Sequence, residues 1–500
     1  MRRSRLLRAA TAVLALTTLF GAAPAVAEPA PALSWTPCGD RQGECATVSV
    51  PVDHAEPGGA RMDVAIGRLP ATAPAKRIGV LFIAPGGPGA SGIDSYVLAP
   101  GKIQDMAALR ERFDIVSWDQ RGVKRSSEVR CSTELLDQAP GAFPADEAEY
   151  RRLLDYNARL GEDCRRHTGP VFDHVDTASA VRDLDAIRAA LGEEQLSFYG
   201  ASYGTQVGQQ YAELFPDRVR AMTIDSNMDH SMTSGARYIE TATEDLEGSF
   251  NAFADWCRRT ADCALHDRDV RVVWDDMHAR AEAGDLTDPA DGSKLSAEDL
   301  RGELMHAMYR PEERWYALAD WFRALSQGSP APAAAAAPAE LAENSYQAIW
   351  CDDWKWNVGD FAELRRYREQ AEAAGPHTKL SPFWSDVTAC LGWPAEVSNP
   401  QHRLSIQGAP PVLIVKGRHD VATPHAWNLA VADQIENSVL LDYDGIGHGQ
   451  YNRSDCVSDR VNDYLVMLRT PAPGTHCEAV WPTTPPPPAV RSAAPDTHTA

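Results

Sequence analysis

Ser202 stands in the run Phe198-Tyr199-Gly200-Ala201-Ser202-Tyr203-Gly204, a G-x-S-x-G pentapeptide with an apolar stretch before it and a helix-like stretch after it. A serine hydroxyl is a weak nucleophile until a base takes its proton and a tight strand-to-helix turn presents it to substrate; flanking glycines leave the room such a turn needs. The pentapeptide by itself also fits an ordinary turn serine, because short matches of this kind arise by chance. The partners of the serine decide between the two readings.

A nucleophilic serine needs a base, and the base needs an orienting carboxylate. In hydrolases built on a strand-turn-helix nucleophile, these partners follow in the order serine, acid, histidine. Asp420, in Gly417-Arg418-His419-Asp420 after the apolar Val412 run, and His448, in Gly445-Ile446-Gly447-His448-Gly449 after the Val439 run, keep that order. Both are expected at the carboxyl ends of core strands, on the edge that carries Ser202. Read singly, His448 is a loop histidine and Asp420 a turn aspartate before Thr423-Pro424; read with Ser202 they form a candidate triad. Asp225 is the reserve acid, and His419 and His425 are reserve bases, although both lie beside Asp420 rather than after a separate strand.

Acyl transfer also needs donors for an oxyanion. Pro85-Gly86-Gly87-Pro88-Gly89 follows the Ile78 apolar run, and glycine lets the backbone approach substrate closely. Gly87 N–H is expected as one donor and Tyr203 N–H as the other. The loop lacks the G-K-[ST] ending that recruits nucleotide phosphates.

These residues need a scaffold, and the apolar pattern supplies one. Ile78–Ala84, Phe113–Trp118, Gln195–Tyr199, Met222–Asp225, Val412–Val415 and Val439–Leu441 read as short buried strands, with β-like runs earlier at Ala46–Val50 and Met62–Arg68. Helical periodicity runs from Thr177 to Leu191 and again through Val207, Tyr211 and Leu214 to Pro216. This alternation predicts an α/β fold with a doubly wound, mostly parallel sheet. From about Met228 to about Ser405 the pattern turns helical, as in Tyr238–Trp256 and Ala297–Tyr309, with no convincing strand, which predicts a cap inserted into the core. The expected divisions are a leader over 1–27, the first part of the core over 28–227, a helical cap over 228–405, the rest of the core over 406–482, and a proline-rich disordered tail over 483–500. Ser329–Pro338, an Ala/Pro tract, is expected as a flexible surface loop.

Arg2, Arg3, Arg5 and Arg8, the apolar Ala9–Ala23 stretch and Ala25-Val26-Ala27 fit a cleaved secretory leader. The stretch is shorter than the ~20 residues a bilayer span needs. Ten cysteines, an even number, fit an exported protein with paired thiols. Sequence alone leaves their connectivity open, but they fall into neighbouring couples: Cys38 with Cys45, Cys131 with Cys164, Cys257 with Cys263, Cys351 with Cys390 and Cys456 with Cys477. No C-x-x-C and no histidine at zinc spacing accompanies them, so no metal and no other cofactor is expected. The net charge of -22 over 500 residues argues against nucleic acid or an anionic membrane as partner, while permitting cationic substrates. A monomer is expected.

Taken together, Pro85–Gly89, Trp118-Asp119-Gln120-Arg121-Gly122, Gly200–Gly204, Asp420-Val421-Ala422-Thr423-Pro424 and Gly447-His448-Gly449 resemble the secreted tripeptidyl aminopeptidases of actinomycetes, α/β-hydrolases related to the proline iminopeptidases. The similarity runs from roughly Trp35 to Trp481. It implies release of short peptides, often tripeptides, from free amino termini of peptides or proteins, with a helical cap over the site and a cleaved leader. Two positions depart from the pattern. Pro85 stands where proline iminopeptidases usually carry histidine, as is common in the tripeptidyl branch, and Lys124 stands where the family usually has glycine, which puts the local turn in question. An exopeptidase must recognise an ammonium group, and a clefted carboxylate is the physical means. Asp352 and Asp353, between Trp350-Cys351 and Trp354, are the candidates, although solvated carboxylates on a helix would read the same way. A secreted carboxylesterase or lipase on the same triad is the alternative, because fold and triad do not choose the acyl substrate.

Overall fold

The computed structural model describes residues 33–39, 43–99, 106–290, 292–327 and 341–483. The leader, the Ser329–Pro338 tract and the tail beyond residue 483 lie outside them. Twelve strands occur among the described residues: β1 (Thr36–Pro37), β2 (Glu44–Pro51), β3 (Arg61–Leu69), β4 (Gly79–Ala84), β5 (Phe113–Trp118), β6 (Arg130–Ser132), β7 (Leu196–Ser202), β8 (Val219–Asn227), β9 (Leu341–Glu343), β10 (Val412–His419), β11 (Ser438–Ile446) and β12 (His476–Cys477). Ten form one sheet in the order β1-β2-β3-β5-β4-β7-β8-β10-β11-β12. The first three pairings are antiparallel and all the later ones parallel.

Both faces of the parallel strands are buried, which is why they read as continuous apolar runs rather than as alternations. Val80, Phe82 and Ala84 of β4 face one core with helices Thr177–Ala190 and Tyr203–Leu214. Leu81 and Ile83 face the other, with Val457, Val461 and Leu465 of helix Asp455–Met467. The expected α/β fold with a doubly wound sheet is therefore what the chain adopts, and the strand expectations fall on β2, β3, β4, β5, β7, β8, β10 and β11.

Between β8 and β10 the chain is mainly helical, with its longest helix at Gly235–Arg259. One expectation fails here, because β9 is a strand: it pairs antiparallel with β6 and ties the insertion back to the core. Three residues of sequence Leu-Ala-Glu carry no readable alternation, and the pairing depends on a partner more than two hundred residues earlier. The insertion has its own apolar core of Leu246, Phe250, Phe253, Trp274, Leu304 and Trp315, and Val421 from the loop after β10 and Ile446 at the end of β11 are packed into it. Those two residues flank Asp420 and His448, so the insertion sits directly on the loops that carry them. All five cysteine couples are disulfides as expected. No helix among the described residues is long and apolar enough to cross a membrane.

Arg121 is the main polar tie inside the core. Its guanidinium is fully buried and donates to both Asp183 oxygens at 2.7 and 2.8 Å, and to the carbonyls of Pro51, Val52 and His174 at 2.8 to 3.0 Å. It thereby joins the end of β2, the loop after β5 and helix Thr177–Ala190. Removing one partner of such a pair leaves the other charge buried and uncompensated. Arg121→Met is expected to cost about 3–5 kcal/mol in chemical denaturation, and Arg121→Lys to recover only part of that loss because an ammonium cannot reproduce the planar fork.

Candidate active site

β7 ends in Ser202, and helix Tyr203–Leu214 starts at the next residue. The turn between them is tight enough to force Ser202 to φ 59°, ψ -131°, a region that side-chain-bearing residues avoid and that marks functional turns. Glycine is required on both sides. A Cβ at Gly200 would lie 2.4 Å from the Gly204 carbonyl oxygen, and one at Gly204 would lie 2.9 Å from Ala84 Cβ and 3.0 Å from its carbonyl oxygen. The helix therefore seats against the end of β4, beside the Pro85–Gly89 loop. Tyr203 N–H belongs to the first turn of the helix, where amides have no acceptor within the helix. Gly87, at φ 103°, takes a left-handed conformation in which a side chain would collide with the amides of Gly89 and Ala90.

His448 Nδ1–H donates to Asp420 at 2.8 Å and 3.1 Å to its two oxygens. Asp420 also accepts from the amides of Ala422 and Thr423 and from the Thr423 hydroxyl. Burial pushes this carboxyl up, but His448 and the donated hydrogen bonds outweigh it and hold it below the usual range, so it is ionised. With Nδ1 protonated toward the carboxylate, a neutral His448 presents a lone pair at Nε2. That atom is buried and has no hydrogen-bond partner among the described residues.

His448 follows β11, two strands away from β8 and three from β7. The loop closes this gap by reaching back across the sheet edge. Gly449 N–H donates to Ser226 Oγ at 2.9 Å, Gln450 N–H to both Asp225 oxygens at 2.9 and 2.8 Å, and Tyr451 N–H to Asp225 at 2.8 Å. Asp225 and Ser226 lie at the end of β8, whose Asn227 is in register with Ser202. The histidine loop is thus anchored on the strand adjacent to the one that ends in the serine.

The reserve residues have other duties. Asp225 holds the histidine loop rather than the imidazole. His419 bonds to Asp245 at 2.9 Å, and the His425 backbone N–H donates to the same carboxylate at 2.6 Å.

Residues 377–477 match the family described as TAP-like protein. The chain is 31% identical to the tripeptidyl aminopeptidase of Streptomyces lividans, over 91% of this chain and 89% of that protein. It belongs to the tripeptidyl aminopeptidase family of α/β-hydrolases. Within the same family it is 31% identical to serine protease Hip1 of Mycobacterium tuberculosis (89% of this chain, 91% of that protein) and 30% identical to carboxylesterase B of the same organism (91% and 92%). As a member of the tripeptidyl aminopeptidase family the protein is a serine hydrolase.

The expected departure at Lys124 falls on a strained turn. Lys124 takes φ 39° in the turn that pairs Val123 with Ser126, so the lysine adopts a left-handed conformation that glycine would adopt without strain. The turn is kept because Ser126 Oγ accepts from Ala65 N–H and donates to the Asp119 carbonyl.

Asp352 and Asp353 are 1% and 0% exposed. The Asp353 carboxylate takes four donors from the protein, namely Thr177 N–H and hydroxyl, Gln206 and Asn399, and Thr177 in turn contacts the Tyr203 hydroxyl. It braces the nucleophile helix from inside and has no lone pair facing outward. Burial, then Asp176, push it up to about 7 against those donors. Neither Asp352 oxygen has a hydrogen bond of good geometry among the described residues; burial first, then Asp176, Asp353 and Asp173 hold its carboxyl well above the usual range. Both carboxylates are thus buried within the fold, Asp353 on protein donors and Asp352 beside other carboxylates.

Two residues beside His448 escaped the sequence reading. Tyr309 stacks its ring edgewise on His448 at 5.0 Å, and its carbonyl accepts from the His448 amide at 3.2 Å. Arg453 donates to the carbonyls of both His448 and Tyr309 and pairs with Glu312. Neither has a local signature, since the contact that brings Tyr309 and the histidine loop together joins residues far apart in sequence.

Asp225→Asn removes acceptors for two amides of the histidine loop and is expected to lower kcat about 10²-fold, the cost of a small misplacement of a catalytic group, with little change in KM in steady-state kinetics. For stability, a carboxyl raised in the folded state binds its proton more tightly folded than unfolded. Asp353 therefore contributes stability that is complete below about pH 4 and is lost as pH rises to about 7. Asp353→Asn is expected to flatten the fall of Tm between pH 5 and 7 in thermal scans.

Proposed function

We propose that the protein is a secreted serine exopeptidase that releases short peptides, tripeptides by analogy with its relatives, from free amino termini, with Ser202, Asp420 and His448 as its triad. The observation that carries this reading is the buried, unpaired Nε2 of His448, with Nδ1 fixed on an ionised Asp420 and the loop anchored beside the strand of Ser202. His448 Nε2 takes the Ser202 proton as Oγ attacks the scissile carbonyl, and the oxyanion is held by the amides of Gly87 and Tyr203. The same proton then passes to the leaving amine, the C–N bond breaks, and an acyl-enzyme remains. Water, deprotonated by His448, attacks that ester and frees the peptide and the serine. Asp420 orients the imidazole and stabilises its charged form.

The helical insertion acts as the cap, because its apolar core includes the neighbours of Asp420 and His448. Full-length similarity to a tripeptidyl aminopeptidase supports the peptide substrate. Secretion is supported by the leader-like first residues and by five disulfides, which persist in oxidising compartments. A carboxylesterase activity is the second reading, favoured by the 30% identity to carboxylesterase B.

Hydrolysis of free and N-acetylated tripeptide fluorogenic amides beside a short aryl ester separates the two. The expected outcome is selective turnover of the free peptides, lowered on the order of 10⁴-fold or more in Ser202→Ala and His448→Ala. Ester turnover without amide cleavage would assign the protein as an esterase.

A further inference from the structure

Asp386 sits in the short helix Trp384–Thr388 of the insertion and is 4% exposed. Its Oδ2 accepts from the Tyr238 hydroxyl at 2.7 Å and its Oδ1 from the Tyr346 hydroxyl at 2.9 Å. Its backbone carbonyl accepts from the indoles of Trp350 and Trp356 at 2.9 and 3.1 Å, which fixes the residue from behind. No lysine, arginine or histidine among the described residues pairs with it. A buried carboxylate normally has a cation beside it, and this one has two phenols and a wall of aromatic rings. Trp350, Trp354 and Trp356 stack in series at 4.7 and 5.3 Å, and Tyr238 stacks on Trp427 at 4.9 Å.

Two tyrosines relate it to the candidate active site. Tyr346 is the second residue of helix Ser345–Asp353, whose start seats on the glycine loop, where a Cβ at Gly89 would lie 2.9 Å from Tyr346 N. Tyr309, whose ring lies 5.0 Å from that of His448, feels the charge of both Asp420 and Asp386. Asp386 is thus tied through Tyr346 to the helix seated on the expected oxyanion loop, and it lies near Tyr309, the residue stacked on the histidine.

We propose that Asp386 binds the N-terminal ammonium of the substrate. This inference rests on the exopeptidase reading and names the residue that enforces it. Each carboxylate oxygen has two lone pairs, and the tyrosines use one on each, so two acceptor positions remain for an ammonium with three donors. The surrounding rings add cation–π attraction for a desolvated cation. Asp353, by contrast, has its lone pairs filled by protein donors, and Asp352 faces other carboxylates. Burial raises the empty Asp386 carboxyl to about 7, opposed by the Tyr238 and Tyr346 hydroxyls, so an arriving ammonium supplies the counter-charge the site lacks.

The test compares wild type, Asp386→Asn, Asp386→Ala and Tyr346→Phe on a free tripeptide amide, its N-acetylated form and a short aryl ester. Asp386→Asn is expected to lower kcat/KM for the free peptide about 100-fold, as for loss of one partner of a buried charge pair, through KM more than kcat. Ester turnover should stay within about twofold, and the preference for free over acetylated peptide should collapse. Tyr346→Phe, which keeps the carboxylate, should weaken the free peptide severalfold and leave the ester unchanged. Equal losses on ester and peptide would assign Asp386 a structural role and overturn the proposal, as would an undiminished preference for the free amine in Asp386→Asn. If wild type itself prefers neither free nor acetylated peptide, the exopeptidase reading has failed before any variant is compared, and the proposal falls with it.

Discussion

The site depends on the Asp225 carboxylate. β11 lies two strands from β8, and a histidine leaving β11 along the sheet direction would end far from the serine on β7. Asp225 corrects this by accepting the amides of Gln450 and Tyr451, with Ser226 taking that of Gly449. A buried carboxylate is costly unless hydrogen-bonded, and backbone amides are strong donors to it. Desolvation nevertheless raises its pKa, with the amides and the Tyr199 hydroxyl acting in opposition. The carboxylate thus holds the loop at an electrostatic cost, a balance that belongs to a functional site more than to a merely stable one.

The insertion completes what the sheet begins. Arg453 leaves the histidine loop and binds carbonyls on both sides of the boundary, that of His448 in the core and that of Tyr309 in the insertion. Gly447 makes room for it, since a Cβ there would lie 2.6 Å from the Arg453 guanidinium carbon. Val421 and Ile446 add apolar contacts across the same boundary. The histidine is therefore packed on one side by the insertion and its loop is tied on the other to β8, with its Nε2 hydrogen-bonded to neither.

What could be read from the chain and what could not differ by range of interaction. The serine turn, the parallel strands and the order serine, acid, histidine are local or strand-by-strand features. Glycine spacing and apolar runs report them because the constraint and the residue lie within a few positions of each other. The disulfides join neighbouring cysteines 6 to 39 residues apart, a pairing that the order along the chain suggests but does not determine. Asp386 was not legible, because its meaning comes from Tyr238, 148 residues away, and Tyr346, 40 away. Asp352 and Asp353 looked the better anchors precisely where local pattern was the only guide: acidic residues beside tryptophans and a cysteine. The burial of Asp353 under Thr177, Gln206 and Asn399 is set by segments far apart in sequence.

Three carboxylates of the insertion, Asp352, Asp353 and Asp386, are all raised by burial, yet they are satisfied in different ways. Asp353 has amide, hydroxyl and carboxamide donors and works as a brace. Asp352 has other carboxylates for neighbours, which favours its neutral form. Asp386 alone combines two hydroxyl donors and unused lone pairs with links, through Tyr346 and Tyr309, to the glycine loop and the histidine. In a family whose named members include both peptidases and a carboxylesterase, the strand-end triad cannot distinguish an amine-bearing substrate from an ester. That discrimination requires a group that interacts with the part of the substrate remote from the scissile bond. Binding energy gained there can be used to orient the carbonyl at Ser202. A carboxylate lacking a protein counter-ion suits that task, because the stabilisation it forgoes in the free enzyme is recovered only when a cation arrives.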